Sequence, residues 1–192
     1  MSKNTHLEHL EDSILLDGSQ GAKDAFTFLD ELAQTFSGKQ RNNFKINTKW
    51  DGAPAIFCGA YPGTDRFFVG TKSVFNKEAK VNFTDDDIQT NHGHAPGLVA
   101  KLKDALKYFP DLGIQGVAQG DLLFTDDKQI KTINGERCIV FTPNTITYCI
   151  PESSDLYEKA KNAKIGVVFH TKYSGRTVET LNARFGYDVN KL

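Results

Sequence analysis

The chain has 192 residues, 23 Lys and Arg against 24 Asp and Glu, a formal charge of −1, and 39 % hydrophobic residues. This is an ordinary globular composition, long enough for one domain with a sizeable core. It excludes coating of nucleic acid by bulk positive charge, although it leaves a local cationic groove open.

The first residues, Met1 to His6, run straight into Glu8, Glu11 and Asp12 and do not read as a signal peptide. Leu7, Leu10, Ile14 and Leu15 then form a short apolar stripe that stops at Asp17-Gly18. A longer stripe follows, with Ala22, Ala25, Phe26, Leu29, Leu32, Ala33 and Phe36 at three- and four-residue steps. Ser19 is placed to cap it, and Gly38 lies just beyond its end. The spacing predicts a helical pair within an N-terminal segment, residues 1–43, that packs on a core spanning residues 44–192.

From Phe44 the pattern changes to strands. Phe44 to Thr48 alternates, Lys49-Trp50-Asp51-Gly52 supplies turn chemistry, and Ala53 to Tyr61 is apolar. Asp-Gly between two such runs signals a hairpin. A second strand is predicted over Arg66 to Phe75, a polar loop over Thr84 to Gly97, and a helix carrying Leu98, Val99, Leu102, Ala105 and Leu106 on one face. Ile114 to Phe124 is an apolar run broken by Gln119-Gly120-Asp121. Cys138 to Phe141 and Thr145 to Ile150 read as strands around Pro143-Asn144. Ser154 to Ala163 reads as helix, Ile165 to His170 as a buried strand, and Thr177 to Phe185 as a short helix closed by Gly186. The hairpin signals favour antiparallel pairing, so the expected class is α+β, one domain with mainly antiparallel sheets flanked by helices.

The longest apolar stretch, Ile165 to Phe169, is far short of the ~20 residues that cross a bilayer, so no membrane partner is expected. Three scattered cysteines, Cys58, Cys138 and Cys149, make neither a disulfide framework nor a zinc ribbon. A reducing, cytoplasmic setting is expected.

Four segments carry candidate chemistry. Lys49 beside an Asp-Gly turn is a candidate nucleophile if its amine is neutral, although a Lys before Asp-Gly is common at exposed hairpin tips. Gly70-Thr71-Lys72-Ser73 adds a second Lys after a glycine. Asp121 is flanked by apolar Leu122-Leu123-Phe124, where a carboxylate is costly to bury without a partner. Ile165 to Phe169 ends in His170 and Lys172. Other groups have plainer readings. His92-Gly93-His94 lacks a third ligand, Asp85-Asp86-Asp87 reads as a helix start, His6 and His9 as exposed, and Cys58 as a small core residue. Trp50 fits a stacking platform and simple packing equally.

In this order the four segments resemble the covalent nucleotidyltransferases, the superfamily of ATP-dependent DNA and RNA ligases and mRNA-capping enzymes. Lys49-Trp50-Asp51-Gly52 matches the K-x-D-G motif, Gly120-Asp121-Leu122 resembles the motif whose carboxylate contacts the ribose, and Gly70 to Ser73 resembles the short motif between them. Ile165 to His170 resembles E-G-x-V-x-K, with Ile165 in place of the Glu and His170 in place of the Lys. The closing K-x-K strand has no match. Lys49 with Ala53-Pro54-Ala55 and Phe75-Asn76-Lys77 also resembles an uncharacterised protein family of tailed phages, which would place the chain in the host cytoplasm.

The resemblance implies that Lys49 is nucleotidylated by ATP with Mg²⁺ and that AMP passes to nucleic-acid ends. It implies a nucleotide site of Thr48, Trp50, Asp51, Gly52, Lys72, Asp121, Phe141, His170 and Lys172. Within it Asp121 would bind the ribose or a metal, and Phe141 would stack on adenine. The departures at Ile165 and His170 leave a second class open, a non-catalytic nucleotide- or nucleic-acid-binding phage accessory protein. Neither DNA against RNA nor the oligomeric state is readable from the residues.

Overall fold

The structure is a computed structural model that describes residues 9–39 and 48–189. The chain divides into two compact units, Met1–Lys49 and Trp50–Leu192.

The first unit contains α1 (Leu10–Phe36), which is two helical pieces joined at Gly18. Gly18 has φ 57° and ψ −129°, outside helical space, so the expected pair and its break at Asp17-Gly18 are both present. The second piece returns so closely that a Cβ on Gly21 would lie 1.8 Å from the Ser13 carbonyl oxygen. The first piece starts after His9, whose N–H donates to the Asp12 carboxylate at 2.9 Å, and Ser19, the expected cap of the second piece, directly follows the Gly18 break. The helix ends at Ser37, and Gly38 adopts φ 72°. Leu7 and the strand expected from Phe44 lie outside the described residues, save Thr48, which is not in a strand.

The second unit is α+β with antiparallel sheets. Its larger sheet contains β1 (Ala55–Ala60), β2 (Phe67–Gly70), β3 (Val117–Phe124), β7 (Gly166–Ser174) and β8 (Asn182–Phe185), in the order β2-β1-β3-β7-β8. The smaller contains β4 (Gln129–Ile133), β5 (Glu136–Phe141) and β6 (Tyr148–Pro151). Side chains alternate across β3. Ala118 and Leu122 join Ile56, Cys58 and Val69 beneath α2 (Asp85–His92) and α3 (Pro96–Tyr108), whose Ile88 and Leu102 are fully buried. Val117 faces the other way, into a layer with Phe57, Phe68, Val74, Tyr173 and Leu181. The smaller sheet packs Ile139 and Phe141 against α4 (Tyr157–Asn162). Burial pushes the Cys58 thiol up, as befits a core residue. No helix among the described residues is long and apolar enough to cross a membrane.

Four expectations require correction. The strand predicted over Arg66 to Phe75 stops at Gly70, because a 3₁₀ turn, Lys72–Phe75, folds back so that a Cβ on Gly70 would lie 2.3 Å from Val74. The predicted loop over Thr84 to Gly97 is mostly helical. Thr84 and Asp87 exchange capping hydrogen bonds, and three acids occupy the first turn of α2. Its polarity, with Ile88 the buried apolar residue, hides the period. The helix predicted over Thr177 to Phe185 is a 3₁₀ turn followed by β8, which hydrogen-bonds along β7. The helix expected from Ser154 to Ala163 is shorter, Tyr157–Asn162.

α2 ends in a pH-sensitive group. His92 is 4 % exposed, and its Nε2 has no hydrogen-bond partner among the described residues. Burial, with Lys80 and His94 adding repulsion, holds its imidazole below the ordinary value. The unfolded chain takes up this proton near pH 6.5, before the folded chain does. Stability from neutral His92 is therefore full above pH 6.5 and is lost as pH falls below it. Urea melts are expected to show falling unfolding free energy from pH 7 to 5, with a shallower fall in His92→Asn. Equal slopes would show that His92 carries none of it.

Candidate functional site

The segment 48–54 contains no strand, so Asp51-Gly52 is not a two-residue hairpin turn. It leads through a cis Ala53–Pro54 peptide into β1. What holds it is side-chain hydrogen bonding to the loop between β5 and β6. The Asp51 carboxylate accepts from Asn144 Nδ2 at 3.0 Å, Thr145 N at 3.1 Å, Thr145 Oγ1 at 2.8 Å and Ile146 N at 3.4 Å. These bonds, those from Asn144 and Thr145 foremost, lower its pKa to about 2. The Asp51 N–H donates to Tyr148 Oη at 2.7 Å, and the Trp50 ring lies 5.0 Å from the Tyr148 ring. Trp50 therefore packs on a ring and still keeps 37 % of its surface exposed.

Gly52 is required where it stands. A Cβ there would lie 2.6 Å from Asp121 Cβ and 2.9 Å from the Leu122 carbonyl oxygen. Ala53 N donates to Leu122 O at 2.9 Å, and Leu122 N donates to Pro54 O at 3.1 Å. Residues Gly52 to Pro54 and the Gly-Asp-Leu segment of β3 are thus held together by packing and backbone bonds.

Asp121 shares its face of β3 with Val117 and Gln119, away from α3. Its cross-strand partner on β7 is Val168, and His170 lies two residues further on, at a register shift where Gln119 pairs Thr171 and Gly120 pairs Phe169. The shift leaves His170 as the extra residue and turns its ring toward Asp121. His170 Nε2 lies 3.6 Å from Asp121 Oδ1, both side chains about one-fifth exposed, and His170 Nδ1 lies 2.7 Å from Thr171 Oγ1. An acceptor and a proton-carrying ring on one face can bind a ribose hydroxyl or hold a proton.

The other sequence-predicted residues are placed differently. Thr48 and Lys49 are exposed, and Lys49 is the last residue of the first unit, one peptide bond before Trp50. Lys72 is exposed on the 3₁₀ turn after β2 and is engaged by a neighbour. Phe141 is 5 % exposed, its ring 4.9 Å from Phe124 and 5.5 Å from Tyr148, so it is built into the core beneath α4. The exposed aromatic beside Asp51 is Trp50. Lys172 pairs with Ala118, which puts it on the sheet face opposite Asp121, because side chains alternate along a strand.

Asn144, Thr145 and Tyr148 were not singled out from sequence. The signal for them was the Pro143-Asn144 turn between two strands, a turn whose contacts reach nearly a hundred residues back along the chain. Among the described residues no three His, Cys, Asp or Glu side chains gather to hold a metal ion. Asp121 with His170 beside it does not fit a resident Mg²⁺.

No curated protein and no solved structure matches the chain. Residues 4–192, including every residue of this site, match a family described as a family of unknown function, DUF6267, and the chain belongs to that family.

Proposed function

We propose that the chain is an ATP-dependent, polynucleotide ligase-like nucleotidyltransferase with Lys49 as its covalent nucleophile. Support comes from the meeting of its two most specific motif segments, with Gly52 packed against Asp121 and the two backbones hydrogen-bonded. His170, from a third segment, completes the cluster.

Neutral Lys49 Nζ attacks the α-phosphorus of ATP. The P–N bond of a lysyl-AMP forms, the bond to pyrophosphate breaks, and the amine's proton goes to solvent. Mg²⁺ enters with the triphosphate as part of the substrate. AMP then passes to a 5′-phosphorylated nucleic-acid end, and a 3′-hydroxyl displaces it. Asp121 accepts from the ribose, Trp50 offers a stacking face, and Lys72 offsets phosphate charge.

Incubation with α-labelled ATP and Mg²⁺, followed by a denaturing gel, is expected to leave label on the wild type and none on Lys49→Ala. Label that survives the substitution, or no label on the wild type, overturns the covalent mechanism.

Ile165 and His170 favour one competing reading, a nucleotide- or nucleic-acid-binding protein that has lost the chemistry. It predicts thermal stabilisation by ATP, AMP or oligonucleotide with no covalent product.

A further inference from the structure

Lys172 and Arg184 lie directly opposite one another across β7 and β8. Both are exposed, and neither pairs with a carboxylate among the described residues. Facing cross-strand residues hold their Cβ atoms about 4.5–5.5 Å apart, so two like charges there repel unless an anion lies between them. The acid nearest Lys172 in sequence does not serve. Glu179, in the turn joining the two strands, is held by hydrogen bonds to its own backbone N–H and to Thr177, which keep its carboxyl low. A third cation, Arg176, sits in the same connection.

Lys172 of this pair borders an open cleft of about 370 Å³ at the end of the sheet, which it lines together with Ser174 and three turns carrying Gly63, Gly116 and Gly175. Gly63 and Gly116 have φ 79° and 75°, conformations that leave bare backbone at the cleft wall. The Lys172 stem runs past Gly116, its Cε 3.9 Å from where a Cβ would stand. Bare backbone and two long cationic side chains on an open edge suit a chain of phosphates passing along it. A small enclosed ligand would need walls that this edge does not have.

We infer that the β7–β8 edge at Lys172 and Arg184, with the cleft beside it, binds the phosphodiester backbone of a nucleic-acid strand. The choice of nucleic acid rests on the ligase-like reading above, whereas the anion site does not. Lys172 and Arg184 lie on the sheet face opposite Asp121, and the site makes no use of Lys49.

The test is fluorescence anisotropy of the full chain with a labelled single strand of about 20 nucleotides, without ATP, over a series of salt concentrations. Failure of lysyl-AMP formation would leave this measurement untouched. The wild type is expected to bind with affinity that falls as salt rises. Lys172→Ala and Arg184→Ala are each expected to flatten the slope of log affinity on log salt by about 0.7. The double substitution is expected to weaken binding by roughly tenfold for every base sequence tried. Both side chains are exposed, so folding is expected to survive, and equal melting temperatures would verify that. Unchanged affinity and slope in the double variant overturns the inference, as does absence of strand binding at about 50 mM salt. Two further outcomes also overturn it, namely a wild type that binds inorganic phosphate but no strand, and displacement of the strand equally well by poly-glutamate of matched charge.

Discussion

Gly59→Ala is expected to lower the melting temperature by about 6–12 °C, the largest stability loss that a single added methyl group should cause in the second unit. Gly59 sits in β1 between Phe68 of β2 and Val117 of β3. Its φ is 133°, a region that side-chain-bearing residues rarely enter. A Cβ there would lie 2.0 Å from the Gly116 carbonyl oxygen, which already accepts a hydrogen bond from Ala60 N at 3.1 Å. The obstacle is backbone on a paired strand, so no rotamer change relieves it. Backbone strain and overpacking together cost about 3 kcal/mol. A chain of this length loses roughly 2–4 °C for each of those. Scanning calorimetry is the direct check, and a melting temperature within about 2 °C of wild type would mean that β1 and β3 separate far more easily than their pairing suggests.

Asp51→Ala is expected to reduce covalent labelling by roughly a hundredfold while the fold persists. Asp51 is half-buried and held by polar contacts, so its removal leaves no apolar cavity. What it removes is the acceptor for four hydrogen bonds from Asn144, Thr145 and Ile146, which tie the K-x-D-G turn to the β5–β6 loop. Lys49 is two residues upstream, and a shift of about 1 Å in a nucleophile is enough for such a loss. Asp51→Asn keeps one acceptor oxygen and should fall between the two. Hydrogen exchange separates this role from catalysis proper, since the Thr145 and Ile146 amides should exchange faster in Asp51→Ala with no nucleotide present. The pH dependence has a definite sign. The folded pKa of about 2 lies below the ordinary carboxyl value of 3.8, so the anchor is fully present above pH 3.8 and is lost as pH falls toward 2. Unchanged amide exchange in Asp51→Ala would dismiss the anchor.

The parts of the fold that were legible in the chain were those with a local cause. The apolar stripe of α3 is one, and the Asp17-Gly18 break is another, since a glycine can leave helical space where it must. The strands β3, β5 and β6 show through their apolar runs and the Pro143-Asn144 turn. Helix α2 did not show, because a polar helix with Ile88 on its inner side has no stripe, and its evidence lay in the Thr84 and Asp87 caps. Strand β8 was misread because its four residues are strand only by virtue of the free edge of β7.

The candidate site divides in the same way. Residue types and order alone determined the α+β class, the K-x-D-G segment and an Asp inside an apolar strand, because each is a property of neighbours along the chain. Only the tertiary structure decided which of these meet. Backbone hydrogen bonds ahead of β1 set Gly52 against Asp121, and a one-residue register shift brought His170 to Asp121. Strand alternation sent Lys172 to the opposite face and, with β8 alongside, set it beside Arg184. Packing under α4 took Phe141 into the core and left Trp50 exposed. The physical reason is that a strand's two faces differ by a single residue of register, and register belongs to the partner strand as much as to the strand itself.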